Sequence, residues 1–264
     1  MPSTARKRTH PYDFFARGKI GTSPSATFVF CILRALDVAI QYHILANGLG
    51  ASMLRKVGFE VIPNGPPIQT SLPFVEGVGL SPYRLLLLAM AMGGALKHIL
   101  WAIYFNREPL WISSAIAAPI YYAMFNSLND LFSTTMFFSA SITGRTPAVV
   151  IGSVLYLVGL TTETVAEYQR KVFKDDPKND GKLCTGGLWS VTRHINYTGY
   201  TLWRTGYSLA AGNWYWGGFM AMHLIKGFGS RAIPILNWYC SEKYGTQWEE
   251  FKKQTPYQLI PGVW

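Results

Sequence analysis

This chain of 264 residues is 49% hydrophobic and 15% aromatic but only 14% charged, well below the roughly 25% charged share of an ordinary soluble domain. Its net charge of +10 does not point to nucleic acid, because Lys and Arg sit near the ends of apolar runs and in two loops instead of alternating with stacking aromatics along one face. Cys31, Cys184 and Cys240 are too scattered for a disulfide framework or a zinc site, so reduced thiols and no metal are expected.

In chain order, residues 1 to 23 carry Arg6, Lys7, Arg8, Arg17 and Lys19 ahead of an apolar segment long enough to stay as an anchor, so no cleavable signal peptide is read. Apolar runs of spanning length follow near 25–46, 83–105, 110–128, 147–166, 197–212 and 214–240, about 20 residues being enough to cross the hydrocarbon core. The expected fold is all-α, a polytopic membrane bundle of six or seven helices in one domain spanning residues 1–264. The fifth run is short, carries Arg204 and is interrupted by Gly199, Gly206 and Gly212, which suits a helix packed inside the bundle away from lipid. The sixth is expected to divide at Gly227, Gly229 and Pro234.

With six crossings, the N-terminal basic cluster, the loop from Arg170 to Arg193 and the final Lys243, Lys252 and Lys253 fall on one side. Positive loops stay cytoplasmic, so both termini are placed in the cytosol. Residues 47–82 then form the largest loop on the far side.

Chemistry-bearing residues concentrate in the last third. Glu163, Glu167, Gln169, Lys174, Asp175 and Asp176 run from a helix end into a polar loop before Gly186 and Gly187. Such a loop offers cations to phosphates and carboxylates to ribose hydroxyls, the alternative being a solvated linker. Arg193-His194-Ile195-Asn196-Tyr197-Thr198-Gly199 sets a cation, an imidazole, an amide and a phenol at the start of a membrane helix, where free backbone N–H groups attract anions; an interfacial anchor is the bland alternative. Gly227-Phe228-Gly229-Ser230-Arg231-Ala232 has loose dinucleotide spacing but follows no β-strand, and an ion pair of Arg231 with Glu163 or Glu167 competes with a ligand role. Earlier in the chain, Arg34 and Asp37 lie three apart and can neutralise each other, while Lys97, His98, Tyr104, Asn126, Asn129 and Asp130 could face a cavity.

These residues resemble the steroid 5α-reductase family within the wider group of membrane sterol reductases. The segment GLW-x-x-x-RH-x-NY-x-G at Gly187 to Gly199 and the terminal KYG-x-x-W-x-x-F-x-x-x-x-PY-x-LIPG at Lys243 to Gly262 match that group. Gly206-Tyr207-Ser208-Leu209-Ala210, Gly229 to Ala232 and Trp238-Tyr239 match the narrower family. The resemblance covers roughly 150–264. It implies an endoplasmic-reticulum enzyme in which residues 146–264 bind NADPH and residues 1–145 supply substrate-side helices. The substrate class would be an enone in a steroid, terpenoid or other lipid-like molecule, with membrane lipids as the surroundings.

By the same resemblance Glu167, Lys174, Arg193, His194, Asn196, Tyr197, Arg231 and Tyr239 would hold the cofactor. Tyr104 or His98 would polarise the substrate carbonyl, with Gln69 a further candidate, and Tyr200 would relay a proton. Tyr200 stands where the family usually has Glu or Asp. An S-adenosylmethionine-dependent membrane methyltransferase shares the RH-x-x-Y-x-G pattern and is the leading alternative, although Ala232 to Cys240 lacks the adjacent acidic residues those enzymes carry. A redox-silent isomerase or lipid-binding scaffold is the second.

Overall fold

A computed structural model describes residues 18–142 and 146–264. Arg6, Lys7, Arg8 and Arg17 of the basic cluster lie outside the described residues. The described part is all-helical, 72% helix with no strand, and its one isolated bridge joins Val61 to Thr135.

Helix α1 (Pro24–Asn47) begins on a proline, whose fixed φ suits a first turn, and ends at Gly48, whose φ of 68° lets its N–H close back onto the His43 carbonyl. Short helices α2 (Ala51–Lys56) and α3 (Pro73–Glu76) lie in the loop that follows. Helix α4 (Pro82–Leu100) runs on as a π-helical turn, Trp101–Phe105, before α5 (Ile112–Ser133). Helix α6 (Thr146–Asp175) is followed by α7 (Ile195–Gly227), a second π-helical turn at Phe228–Ala232, α8 (Ile233–Tyr244) and α9 (Thr246–Gln254). The last apolar run divides where its glycines and Pro234 indicated, and α7 itself bends at Gly212 and Asn213.

That bend has an identifiable cause. Asn213 adopts φ 58°, unusual for a residue other than glycine, and is held there because its Nδ2 donates to the Phe138 carbonyl at 2.7 Å while its Oδ1 accepts from the Tyr215 N–H at 3.0 Å. The 134–140 segment is thereby tied to the bend, and Ala140 N–H adds a bond to the Ala211 carbonyl. The 47–82 loop closes over the same end: Ile62 N–H bonds the Thr134 carbonyl, and Arg84 reaches the Leu45 and Ile62 carbonyls at 2.6 and 2.9 Å.

Among the described residues, three helices are long and apolar enough to cross a membrane: Pro24–Asn47, Pro82–Phe105 and Thr146–Asp175. Helices α5 and α7 are also long but carry Asn126, Asn129 and Asp130 or Arg204 and Lys226. Asn126, Asn129, Asp130 and Arg204 are buried inside the bundle, whereas Lys226 is exposed.

The α6–α7 contact is the spine of the bundle. Gly152 and Gly159 of α6 face Gly199 and Gly206 of α7, each pair seven residues apart. A Cβ built on Gly206 would sit 2.5 Å from the Gly152 carbonyl oxygen and 2.5 Å from Tyr156 N. Only bare backbone permits that approach, the usual way membrane helices pack closely where lipid tails supply no hydrophobic driving force. As expected, the first half of α7 lies inside the protein, with Trp203, Arg204, Tyr207 and Ser208 buried.

Candidate functional site

The two motif segments that are far apart in sequence lie side by side. The C-terminal stretch runs along the entry to α7, so that Arg193 N–H donates to the Tyr257 carbonyl at 2.9 Å and His194 N–H to that of Gln258 at 3.1 Å. Arg193 Nη1 donates to the Thr255 and Pro256 carbonyls at 2.7 and 2.9 Å, and Thr198 Oγ1 to the Leu259 carbonyl at 2.6 Å. Arg193 is therefore committed to holding the tail, and the phosphate fork expected of it is not what its Nη1 does. Burial pushes the Arg193 guanidinium below its usual range, and burial together with the Arg193 charge holds the His194 imidazole down at about 4. His194 is thus neutral at physiological pH.

Glu167 joins the same region: its Oε1 accepts from Asn196 Nδ2 at 3.0 Å and its Oε2 from Arg170 at 2.6 Å. Lys174 lies farther out, donating to the Lys182 carbonyl and to Tyr244 Oη at 3.2 Å, within electrostatic reach of Lys243, Arg170 and Arg107. Arg231 is exposed on the second π-helical turn, and Tyr239 Oη accepts from Lys243 at 3.1 Å. Six of the eight expected cofactor residues thus fall into three places, a Glu167–Asn196 pair, an Arg193–His194 clasp on the tail and a basic group around Lys174 and Lys243 that reaches Tyr239, while Tyr197 stacks on His194 and Arg231 lies on the second π-helical turn. Arg231 pairs with neither Glu163 nor Glu167: the salt bridge at Glu163 is to Lys97, and that at Glu167 is to Arg170.

A column of rings leads from this region into the bundle. The His194 ring stacks on Tyr197, with centroids 5.7 Å apart, and Tyr197 stacks on Phe228 at 4.4 Å. Phe228 meets Tyr200 edge-on at 5.8 Å, and Tyr200 meets Trp203 at 5.3 Å. His98 completes the column, 6.4 Å from Tyr200, edge-on to Trp203 at 5.6 Å and stacked on Tyr122 at 4.2 Å. Two of the three expected catalytic residues, His98 and Tyr200, are therefore neighbours. Tyr104 is not with them: it is 49% exposed on the first π-helical turn, its ring under the Lys171 ammonium at 4.7 Å. Gln69 is exposed in the 47–82 loop.

Beneath the column lies a buried polar network that sequence patterning alone did not assemble. Lys97 and Glu163 form an ion pair, their side chains 5% and 9% exposed, and Glu163 Oε2 also accepts from Trp203 Nε1 at 2.6 Å. Asp37 accepts from Arg34 at 2.5 Å, Gln41 at 2.6 Å and Asn126 at 2.7 Å. Asn126 Oδ1 in turn accepts from Arg204 at 2.6 Å. Asp130 accepts from Tyr207 at 2.7 Å, and Asn129 Oδ1 from Ser208 at 2.9 Å and Trp216 at 2.6 Å. His98 Nδ1 has no hydrogen-bond partner although the residue is 4% exposed, and a buried polar atom without a partner is uncommon enough to mark a candidate functional group. Among the described residues no cluster of His, Cys, Asp and Glu could hold a metal ion.

Comparison with known proteins joins these observations to a family. The chain is 39% identical over 248 residues to a probable O-methyltransferase, ustE, of Ustilaginoidea virens, covering 91% of this chain and 87% of that protein. It is 30% identical over 135 residues to a probable 7-dehydrocholesterol reductase of Acanthamoeba polyphaga mimivirus, and 26% identical over 135 residues to a Delta(14)-sterol reductase of Arabidopsis thaliana. Those two matches take in 42% and 45% of this chain, which spans only 28% and 35% of the reductases themselves. The match to the protein family described as DUF1295, of unknown function, covers residues 98–255 and so takes in the ring column from His98 to Phe228. An all-helical chain with this match over more than half its length belongs to the DUF1295 family, with distant similarity to sterol reductases.

Proposed function

We propose that this protein is a membrane-embedded reductase that uses NADPH to saturate an activated carbon–carbon double bond in a lipid-like substrate. The observation that carries the reading is the continuous ring column. It runs from His194 and Tyr197, at the mouth of the bundle beside Glu167 and Asn196, to His98 in its interior.

Phosphate binding is supported by Lys174 with Lys243, Arg170 and Arg107 within electrostatic reach, Arg170 being paired with Glu167 and Arg107 with Asp175. Several cations suit several phosphate charges. S-adenosylmethionine, with a sulfonium cation and a single carboxylate, needs no such group. Asn196 and Glu167 would engage ribose or carboxamide groups, and the stacked face of Tyr197 a planar ring.

When bound, NADPH supplies a hydride. The protein's own part is to exclude water and to orient the acceptor. His98 Nδ1, buried and unpartnered, faces a polarised oxygen if it carries the proton, and the tautomer follows from that bond. A hydrogen bond donated in a dry interior to an oxygen gaining charge is strengthened there. Tyr200 Oη, on the next turn of the column, would deliver the second proton. The lengths of α1, α4, α5 and α6 and the bend that divides α7 support six crossings, and the sterol-reductase relatives support an endoplasmic-reticulum location.

A second reading, methyl transfer from S-adenosylmethionine, is favoured by one specific observation, the 39% identity to a probable O-methyltransferase. Thermal unfolding of purified protein separates them. A ligand at 100 times its Kd stabilises by about 2.7 kcal/mol, so NADPH should raise the midpoint and S-adenosylmethionine should not. The reverse pattern would replace the reductase reading with the methyltransferase.

A further inference from the structure

We infer that Arg34 and Arg204 form a buried subsite for a carboxylate, so that the substrate is an amphipathic acid with a long apolar body. The inference deepens the proposal above, resting on its claim that a lipid-like substrate enters the bundle.

Both side chains are sealed from solvent, Arg34 at 0% and Arg204 at 1% exposure. Each uses one nitrogen: Arg34 Nη1 to Asp37 Oδ2 at 2.5 Å and Arg204 Nη1 to Asn126 Oδ1 at 2.6 Å. In both, the atoms left without a partner are Nε and Nη2. That is the edge of a guanidinium that donates two parallel N–H bonds to a carboxylate. A buried charged donor with no acceptor is destabilising. Two of them are left free on the same edge and joined through the bridge Asp37–Asn126, in a network where Gln41 Oε1 and Asp130 Oδ2 are also without a partner.

Charge and surroundings narrow the ligand. Counting Asp37 and Asp130 against the two guanidiniums leaves the network without surplus charge, so it accommodates a monoanion better than a phosphate dianion. Asp130, the other carboxylate nearby, takes its bond from Tyr207, and Lys97 is already paired with Glu163. The guanidinium carbons lie over rings, Arg34 5.3 Å from the Tyr122 centroid and Arg204 5.2 Å from that of Trp203, and both rings touch His98. A carboxylate held by the arginines would therefore lie beside the imidazole at the inner end of the ring column.

The test uses the full-length chain in detergent without added cofactor, titrated with palmitic, farnesoic and all-trans-retinoic acids, each beside its methyl ester, by tryptophan fluorescence. At least one acid should bind at least about tenfold more tightly than its ester, the loss expected when a bidentate charged contact is removed. Arg34→Gln and Arg204→Gln should each abolish that preference. Arg34→Lys and Arg204→Lys, which keep the charge but not the fork, should reduce it and cover the case in which the Gln variants do not fold. Failure of all three acids to bind, equal binding of acid and ester, or an unchanged preference in the variants would overturn the subsite. NADPH binding measured on the same samples is a separate readout: its absence with the acid preference intact would remove the reductase reading and leave the subsite standing.

Discussion

Replacing Glu163 or Lys97 tests whether the polar layer is a coupled unit. The pair is enclosed, at 9% and 5% side-chain exposure, and Glu163 carries a second bond from Trp203 Nε1 at 2.6 Å. Glu163→Met strands an ammonium in the bundle, and Lys97→Met strands a carboxylate with one remaining donor. Breaking a buried pair by removing one partner costs about 3–5 kcal/mol. In Lys97→Met/Glu163→Met both charges are gone and only the Trp203 N–H is left without an acceptor, a loss of about 1–3 kcal/mol. The double variant should therefore be more stable than either single one, giving a coupling of several kcal/mol in a double-mutant cycle. Unfolding in mixed micelles with increasing dodecyl sulfate, followed by tryptophan fluorescence, measures it. A double variant whose loss equals the sum of the single losses would refute the reasoning, as would single variants within about 0.5 kcal/mol of the parent, the range of an ordinary surface change.

Three further outcomes follow from other parts of the molecule. Gly206→Ala should destabilise by about 1–3 kcal/mol, because its Cβ meets α6 backbone at 2.5 Å, whereas Gly218→Ala, with nothing within 4 Å, should be neutral or slightly stabilising in the same unfolding assay. His194, held near 4 in the folded protein against about 6.5 when unfolded, binds fewer protons folded than unfolded between those values. Its contribution, about 3 kcal/mol, is present above pH 6.5 and lost as pH falls toward 4; unfolding midpoints at several pH values should show this slope flattened in His194→Gln. Lys174→Met should weaken NADPH binding roughly tenfold, or about 1.4 kcal/mol, with an unchanged midpoint in the absence of ligand, as read by isothermal titration.

Helix placement was legible because a spanning helix must be continuously apolar. The run near 25–46 became α1, that near 83–105 became α4 with its π-helical turn, and the boundary between 212 and 214 became the bend at Asn213. Burial of the first half of α7 was readable from its glycines and Arg204. Partner choice was not. Arg34–Asp37 could be read from three-residue spacing, but Lys97–Glu163 and Arg204–Asn126 join residues 66 and 78 apart, and spacing carries no information at that range. The available signal was negative: Lys97 is an isolated charge in a strongly apolar helix, and such a charge needs a partner on another. Arg193 misled for a related reason. A cation at a helix start suits phosphate and backbone carbonyls equally, and the C-terminal stretch that reaches its guanidinium lies some 60 residues on.

The most direct test of the account is to incubate membranes containing this protein with lipid extract, NADPH deuterated at the transferable position and methyl-labelled S-adenosylmethionine, and to find which label enters product. The account predicts deuterium on a newly saturated carbon, absent from membranes carrying His98→Phe. Labelled methyl on oxygen, with no deuterium transferred, would contradict it.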